Sequence, residues 1–201
     1  MHIAILTFDG FNELDSLIAY GVLNRIKQPD WQVSIASPSL QVSSMNGLTL
    51  TSHIPLHAAS QADAVIIGSG VQTRQVVANA ELMAQLQLDP SRQLLAAQCS
   101  GTLILAKLGL LQAIPACTDL TSKPWVQEAG IHILNQPFFA KGNIATAGGC
   151  LASAYLAAWV ISKLAGAAAA ESALHYLAPV GEKDSYVAHA MQCITPYLAE
   201  E

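Results

Sequence analysis

Short apolar runs alternate along the chain with longer stretches in which apolar residues recur every three or four positions. Residues 2–8, "HIAILTF", are almost unbroken hydrophobic sequence and predict a strand buried on both faces. In 9–26, "DGFNELDSLIAYGVLNRI", Phe11, Leu14, Ile18 and Val22 fall at helical spacing and predict a helix. A second strand is predicted over 31–37, "WQVSIAS". In 40–53, "LQVSSMNGLTLTSH", alternation on either side of Asn46-Gly47 predicts a hairpin. "ADAVIIGSG" (62–70) reads as a buried strand ending in glycines, followed by two short helical stretches as far as Leu88. "QLLAAQ" (93–98) is the next strand and runs directly into Cys99, after which an apolar helical run stops at Gly109. Residues 132–147 predict a strand or hairpin turning at Lys141-Gly142, and helices are predicted near 150–164, 167–177 and 184–194.

Strands that alternate with helices predict an α/β domain, a mostly parallel sheet with helices on both faces and one small hairpin. No repeat or linker divides the chain, so residues 1–201 read as one domain. In such sheets ligands bind beyond the carboxyl ends of the strands. Residues 9–15, 68–71 and 98–101 are the strand ends with chemistry to offer.

Composition adds to this picture. Hydrophobic residues make up 52% of the chain and charged residues 11%, which predicts that a second copy covers part of the surface as a homodimer. The net charge is −5 and Lys and Arg form no cluster, so nucleic-acid binding is excluded as an expectation. The four cysteines include no C-x-x-C pair, and neither a metal nor a cofactor is expected. "MHIAILTF" leads straight into a strand without the pattern of a signal peptide; with free thiols, this reads as a reduced cytoplasmic protein. Residues 142–162 carry no charge, but Gly148-Gly149 splits them and polar residues dilute them. A strand, a glycine turn and a buried helix fit this stretch better than a membrane span.

Cys99 stands between a strand and a helix in the pattern A-x-C-x-G, the shape of a nucleophile elbow. A helix N-terminus beyond it would favour the thiolate; the alternative is a small buried hydrophobe. Asp15 lies within the apolar stripe of the first helix, four residues after Phe11 and three before Ile18. A carboxyl on a buried face is held protonated or paired, whereas a tilted helix would give it to water. Gly68 and Gly70 free backbone N–H groups at a strand end, where they could face an anion.

Asp15, the turn at Gly70, the elbow at Cys99 and the junction Gly148-Gly149 together resemble the DJ-1/PfpI superfamily, over nearly the whole chain. "LDSLIAYGVL", "QCSGTLILAKLGLL" and "GNIATAGGCLASAYLAAW" are most similar to its isonitrile hydratase branch and to related sensor domains. The resemblance implies a flavodoxin-like three-layer sandwich, usually a homodimer, with the Asp15 carboxyl against the Cys99 sulfur. It also implies a catalytic set of Cys99, Asp15 and Ser100, with Gly70 and Ser69 as the turn that binds substrate or oxyanion. The residue after the cysteine is Ser100 rather than the histidine of protease-like members, and Asp119 occupies the place of a second family histidine. Peptidase and glyoxalase activities are therefore disfavoured. Ser100 also replaces the threonine of isonitrile hydratases.

Cys150 is read as a core thiol, with a place in the same pocket as the alternative; Cys117, Cys193, Trp125 and Trp159 are read as packing residues. Arg74 is read as a solvated loop residue that could instead meet a polar substrate. Two functions follow. One is a small-molecule enzyme hydrating an isonitrile to an N-substituted formamide. The other is a non-catalytic redox or ligand sensor that uses an oxidisable Cys99.

Overall fold

Ile3, Ala4, Ile5 and Leu6 are all fully buried, which explains the unbroken apolar run at the start of the chain. They belong to β1 (His2–Leu6), which lies inside a seven-stranded sheet. The computed structural model describes residues 1–199. After β1 come α1 (Glu13–Leu23), β2 (Gln32–Ser37), the hairpin strands β3 (Gln41–Ser43) and β4 (Thr49–Thr51), and the short β5 (Ile54–Pro55). A 3₁₀ turn leads to β6 (Ala64–Ile67), then α2 (Thr73–Ala78), α3 (Ala80–Ala84), β7 (Leu94–Gln98), α4 (Gly101–Lys107) and α5 (Lys123–Glu128). The chain ends with β8 (Phe138–Lys141), β9 (Ile144–Ala147), α6 (Ser153–Ala165), α7 (Ala167–Leu177) and α8 (Lys183–Ile194).

The sheet order is β5-β2-β1-β6-β7-β9-β8, with every neighbouring pair parallel except β8–β9. β3 and β4 pair separately as the expected hairpin about Gly47. Because strand side chains alternate between faces, the sheet builds two cores. Ile3, Ile5, Ile66 and Ala96 face the alanine-rich α6 and α7, together with α1 and α8, around the buried Trp159. Leu6, Val65, Ile67, Leu95 and Ala97 face α2, α4, α5 and the 3₁₀ turn. This is the α/β sheet with helices on both faces that the alternation of elements predicts, and the three-layer, flavodoxin-like sandwich that the family resemblance implies. The uncharged stretch 142–162 is β9, a glycine turn and the start of α6, and no helix among the described residues is long and apolar enough to cross a membrane.

The first helix departs from expectation in phase. Residues 9–12 form a turn, and Asn12 caps the helix by accepting from the Leu14 N–H at 3.1 Å. The Asn12 N–H donates to Ser69 O at 2.9 Å, which fixes the rotation of α1 over the sheet. The buried face is therefore Asp15, Ser16, Ala19, Val22 and Leu23, whereas Leu14, expected inside, is 53% exposed.

β1 and β6 form the point at which the strand order reverses, and the crevice above their carboxyl ends is where such sheets receive ligands. Truncating Ile5 to Ala at the sheet centre should cost about 2–5 kcal/mol in urea-unfolding stability. Leu120→Ala, at a side chain 85% exposed, should leave the midpoint unchanged.

Candidate active site

Strand β7 ends in Gln98, and the chain turns sharply at Cys99, whose φ is +48°. A non-glycine residue in this region is strained. The Cys99 N–H donates to Ala147 O at 2.8 Å and the Thr118 hydroxyl to Cys99 O at 2.7 Å, which hold the turn in place. Gly101 lets α4 start immediately: a Cβ there would lie 2.6 Å from Ile67 O. The elbow expected from A-x-C-x-G is thus present, and it points the 4% exposed sulfur at the crevice.

Asp15 has no exposed surface, and Ser69 donates its hydroxyl proton to Oδ2 while Oδ1 has no hydrogen-bond partner. After burial, the charge of its carboxylate raises the thiols of both Cys99 and Cys150 above their ordinary range. Cys150 follows the Gly148-Gly149 junction and lines the cleft instead of lying in the core. Asn12 Nδ2 donates to the Cys150 sulfur at 3.3 Å, and Gln98 Nε2 donates to the Cys99 sulfur at the same distance.

Gly70 and Ser100 act together. The Gly70 N–H, expected to face an oxyanion, donates instead to Ser100 Oγ at 3.1 Å. Thr73 donates its proton to Gly70 O at 2.8 Å, so the 2.7 Å contact between the two hydroxyls has Ser100 as donor to Thr73. A Cβ on Gly70 would lie 2.5 Å from Gly10 O, so only glycine lets the β6 turn come this close to the start of α1. Ser69 meets the carboxyl of Asp15 through its side chain.

The cleft has a volume of about 260 Å³. Met45, Val71 and Trp125 give it apolar walls; Trp125 was expected only to pack. Arg74 is exposed on α2, not on a loop, with its guanidinium 5.4 Å from the Trp125 ring centre. Asp119 lines the cleft and accepts from the N–H groups of Thr121 and Ser122. No histidine is among the cleft-lining residues. Cys117 is fully buried, its thiol pushed up to about 12 by burial, and Cys193 packs against the helical core. Among the described residues, no group of three or more His, Cys, Asp or Glu could hold a metal ion.

The sequence pointed to Cys99, Asp15, Ser69, Gly70 and Ser100, and all five meet at this one strand-end crevice. It missed Asn12, Thr73 and Gln98. Asn12 carries an N-cap signal, and Gln98 is a polar residue closing a buried strand. Nothing marks Thr73.

Burial, and then the Asp15 carboxylate, push the Cys99 thiol well above the ordinary cysteine range. This opposes the thiolate expected from the helix N-terminus, because α4 is short and the desolvation is nearly complete. Two like charges close together are costly, so the carboxylate adds to burial in keeping the sulfur protonated. Asp15→Asn removes the neighbouring negative charge and favours the thiolate. The pH at which iodoacetamide alkylates Cys99 at half its maximal rate should therefore move down, as read by peptide mass spectrometry.

The DJ-1/PfpI family model matches residues 1–163. A ThiJ/PfpI family protein from Pseudomonas syringae superposes with a TM-score of 0.79 at 18% identity, covering 96% of this chain and 87% of that one. Schizosaccharomyces pombe DJ-1 gives 0.77 at 14% identity, with 89% and 100% covered. A mutant of a DJ-1 superfamily protein from Salmonella typhimurium gives 0.76 at 22% identity, with 89% and 98% covered. No curated protein sequence matches significantly. The structural likenesses carry the fold, and the family match, which takes in Asp15, Gly70, Cys99 and the Gly148-Gly149 junction, shows that the chain belongs to the DJ-1/PfpI family.

Proposed function

We propose that the protein is a cysteine-dependent enzyme that hydrates a small molecule of the isonitrile type to an N-substituted formamide. One observation carries this reading: a buried carboxylate with an unpartnered oxygen, its charge felt by the elbow thiol, lies beneath an open, partly apolar cleft lined by Cys99. Hydration needs one nucleophile and one group that moves protons, and Cys99 and Asp15 are that pair.

Asp15 takes the thiol proton as the Cys99 sulfur attacks the terminal isonitrile carbon, then delivers it to that carbon. A thioimidate results. Water adds to the same carbon, and one of its protons passes by way of Asp15 to the nitrogen. The carbon–sulfur bond then breaks as the new hydroxyl becomes the formamide carbonyl, and the remaining proton returns to sulfur. Ser100, tied to Gly70 and Thr73, is a positioning residue that sets the wall beside the sulfur. Met45, Val71 and Trp125 receive the substrate's apolar substituent.

A homodimer is part of the proposal. Leu14, Leu17, Ile18, Tyr176 and Leu177 line an apolar groove of about 590 Å³ between α1 and α7, which a second copy would remove from water. The four cysteines are free, which supports a reducing, cytoplasmic compartment.

Purified protein given cyclohexyl isocyanide should produce the formamide, read by mass spectrometry. Cys99→Ala should abolish turnover, and Asp15→Asn should lower it about 10²–10⁴-fold, the usual range for a lost acid–base group. Ser100→Ala should have a smaller effect. If the unmodified protein forms no formamide, the hydratase reading is overturned and the sensor reading, with oxidation of Cys99 as its signal, takes its place. Light scattering at micromolar protein should give twice the chain mass, and a monomer would remove the dimer.

A further inference from the structure

Cys150 has no part in the hydration chemistry, yet its surroundings mirror those of Cys99. Each cysteine lines the same cleft, and each sulfur accepts from one side-chain amide, Gln98 at Cys99 and Asn12 at Cys150, while burial and then the Asp15 carboxylate raise both thiols. The backbone brings the two together. Strand register sets Gln98 opposite Ala147, two residues before Gly149. Gln98 Nε2 also donates to Gly149 O at 2.7 Å, so the residue before Cys150 is already fastened to the elbow. Cys150 then opens a 3₁₀ turn, is half-buried and faces the cleft mouth. The wholly buried Asp15, whose Oδ1 has no hydrogen-bond partner, is the carboxylate whose charge, after burial, raises both thiols.

We infer that Cys99 and Cys150 form a dithiol pair that reduces a hydroperoxide and closes to an intramolecular disulfide, with Asp15 moving the Cys150 proton to the departing hydroxide in the closing step. The Cys99 sulfur attacks the terminal peroxide oxygen. A sulfur–oxygen bond forms, the oxygen–oxygen bond breaks, and the alcohol or water leaves with the proton released from the thiol; Cys99 becomes a sulfenic acid. Asp15 Oδ1 then accepts the Cys150 proton, and the Cys150 sulfur attacks that of Cys99. The sulfur–sulfur bond forms as the sulfur–oxygen bond breaks, and the departing hydroxide takes the proton from Asp15 as water. Two thiols have lost two electrons and the peroxide has gained them. An external dithiol restores the pair by exchange. The amides of Gln98 and Asn12 face each sulfur while it carries negative charge, and the short turn over Cys150–Ala152 is the segment that moves to close the bond.

This chemistry does not rest on isonitrile hydration, and its test reads bonds and not turnover. Whole protein is treated with one equivalent of hydrogen peroxide, quenched with an alkylating agent and digested without reduction. The expected result is loss of two of the four titratable thiols per chain, with the peptide carrying Cys99 joined to that carrying Cys150. In Cys150→Ser, Cys99 should stop at sulfenic acid, trapped by dimedone, and excess peroxide should drive it to sulfinate several times faster than in the unmodified protein. Cys150→Ala should behave alike, which separates the loss of the thiol from a packing change. A disulfide of Cys99 with Cys117 or Cys193, or oxidation of Cys99 to sulfinate at the same rate with and without Cys150, would overturn the inference. The mapping in the unmodified protein needs no variant to fold.

Discussion

A carboxyl group enclosed by protein is expensive unless hydrogen bonds replace its water, and the strand-end crevice of this molecule is organised around that constraint at Asp15. Neither ion pair among the described residues involves it. Its compensation is the Ser69 hydroxyl on Oδ2, and the thiols of Cys99 and Cys150 feel its charge. Asp15 and these three residues come from four separate places: α1, the turn after β6, the elbow after β7 and the junction after β9. Folding the sheet in its observed order is what brings them together, so the carboxyl ties the chemistry to the topology. The same hydrogen bond from Asn12 to Ser69 that phases α1 also turns Asp15 inward.

The elbow shows a second balance. Holding Cys99 at positive φ costs about 1–3 kcal/mol, which the backbone bond to Ala147 and the hydroxyl of Thr118 offset. Close approach does the rest. Gly70 and Gly101 stand where a single methyl group would strike a neighbouring carbonyl, so the two loops and the start of α4 can crowd around one sulfur. The hairpin of β3 and β4 completes the cleft. Ser44 and Asn46 hydrogen-bond the Glu13 carboxylate, holding it below its usual range, and place Met45 over the opening.

Burial and charge act in the same direction on the elbow thiol and disfavour a standing thiolate. In the proposed chemistry the sulfur relies instead on Asp15 as a proton acceptor beside it. That arrangement suits any reaction in which sulfur must be uncovered only as bond formation begins, and it serves carbon and oxygen electrophiles alike. The cleft walls, not the sulfur, then decide what is admitted.

The sequence alone determined the layers of this protein, because a strand buried on both faces and a helix buried on one leave different periods. The mostly parallel sheet, the hairpin at Gly47 and the helices after residue 150 were legible for that reason. Cys99 and Asp15 were legible because a thiol at a strand–helix junction and a carboxyl on an apolar face each break a local rule, and Ser69, Gly70 and Ser100 followed from the family pattern. Other features depended on distance in three dimensions. Periodicity put Leu14 inside, but the cap at Asn12 and its bond to Ser69 rotated the helix and left Leu14 at the surface. Gly70 looked like a free donor until the fold set Ser100 against it. Trp125 carries no local mark of the cleft, and for Cys150 the Gly148-Gly149 junction left core and pocket both open, because what makes them part of it is the pairing of β7 with β9 and the packing of α5 beside α4. A one-dimensional pattern records which side chains must leave water, whereas only the tertiary structure decides which of them meet.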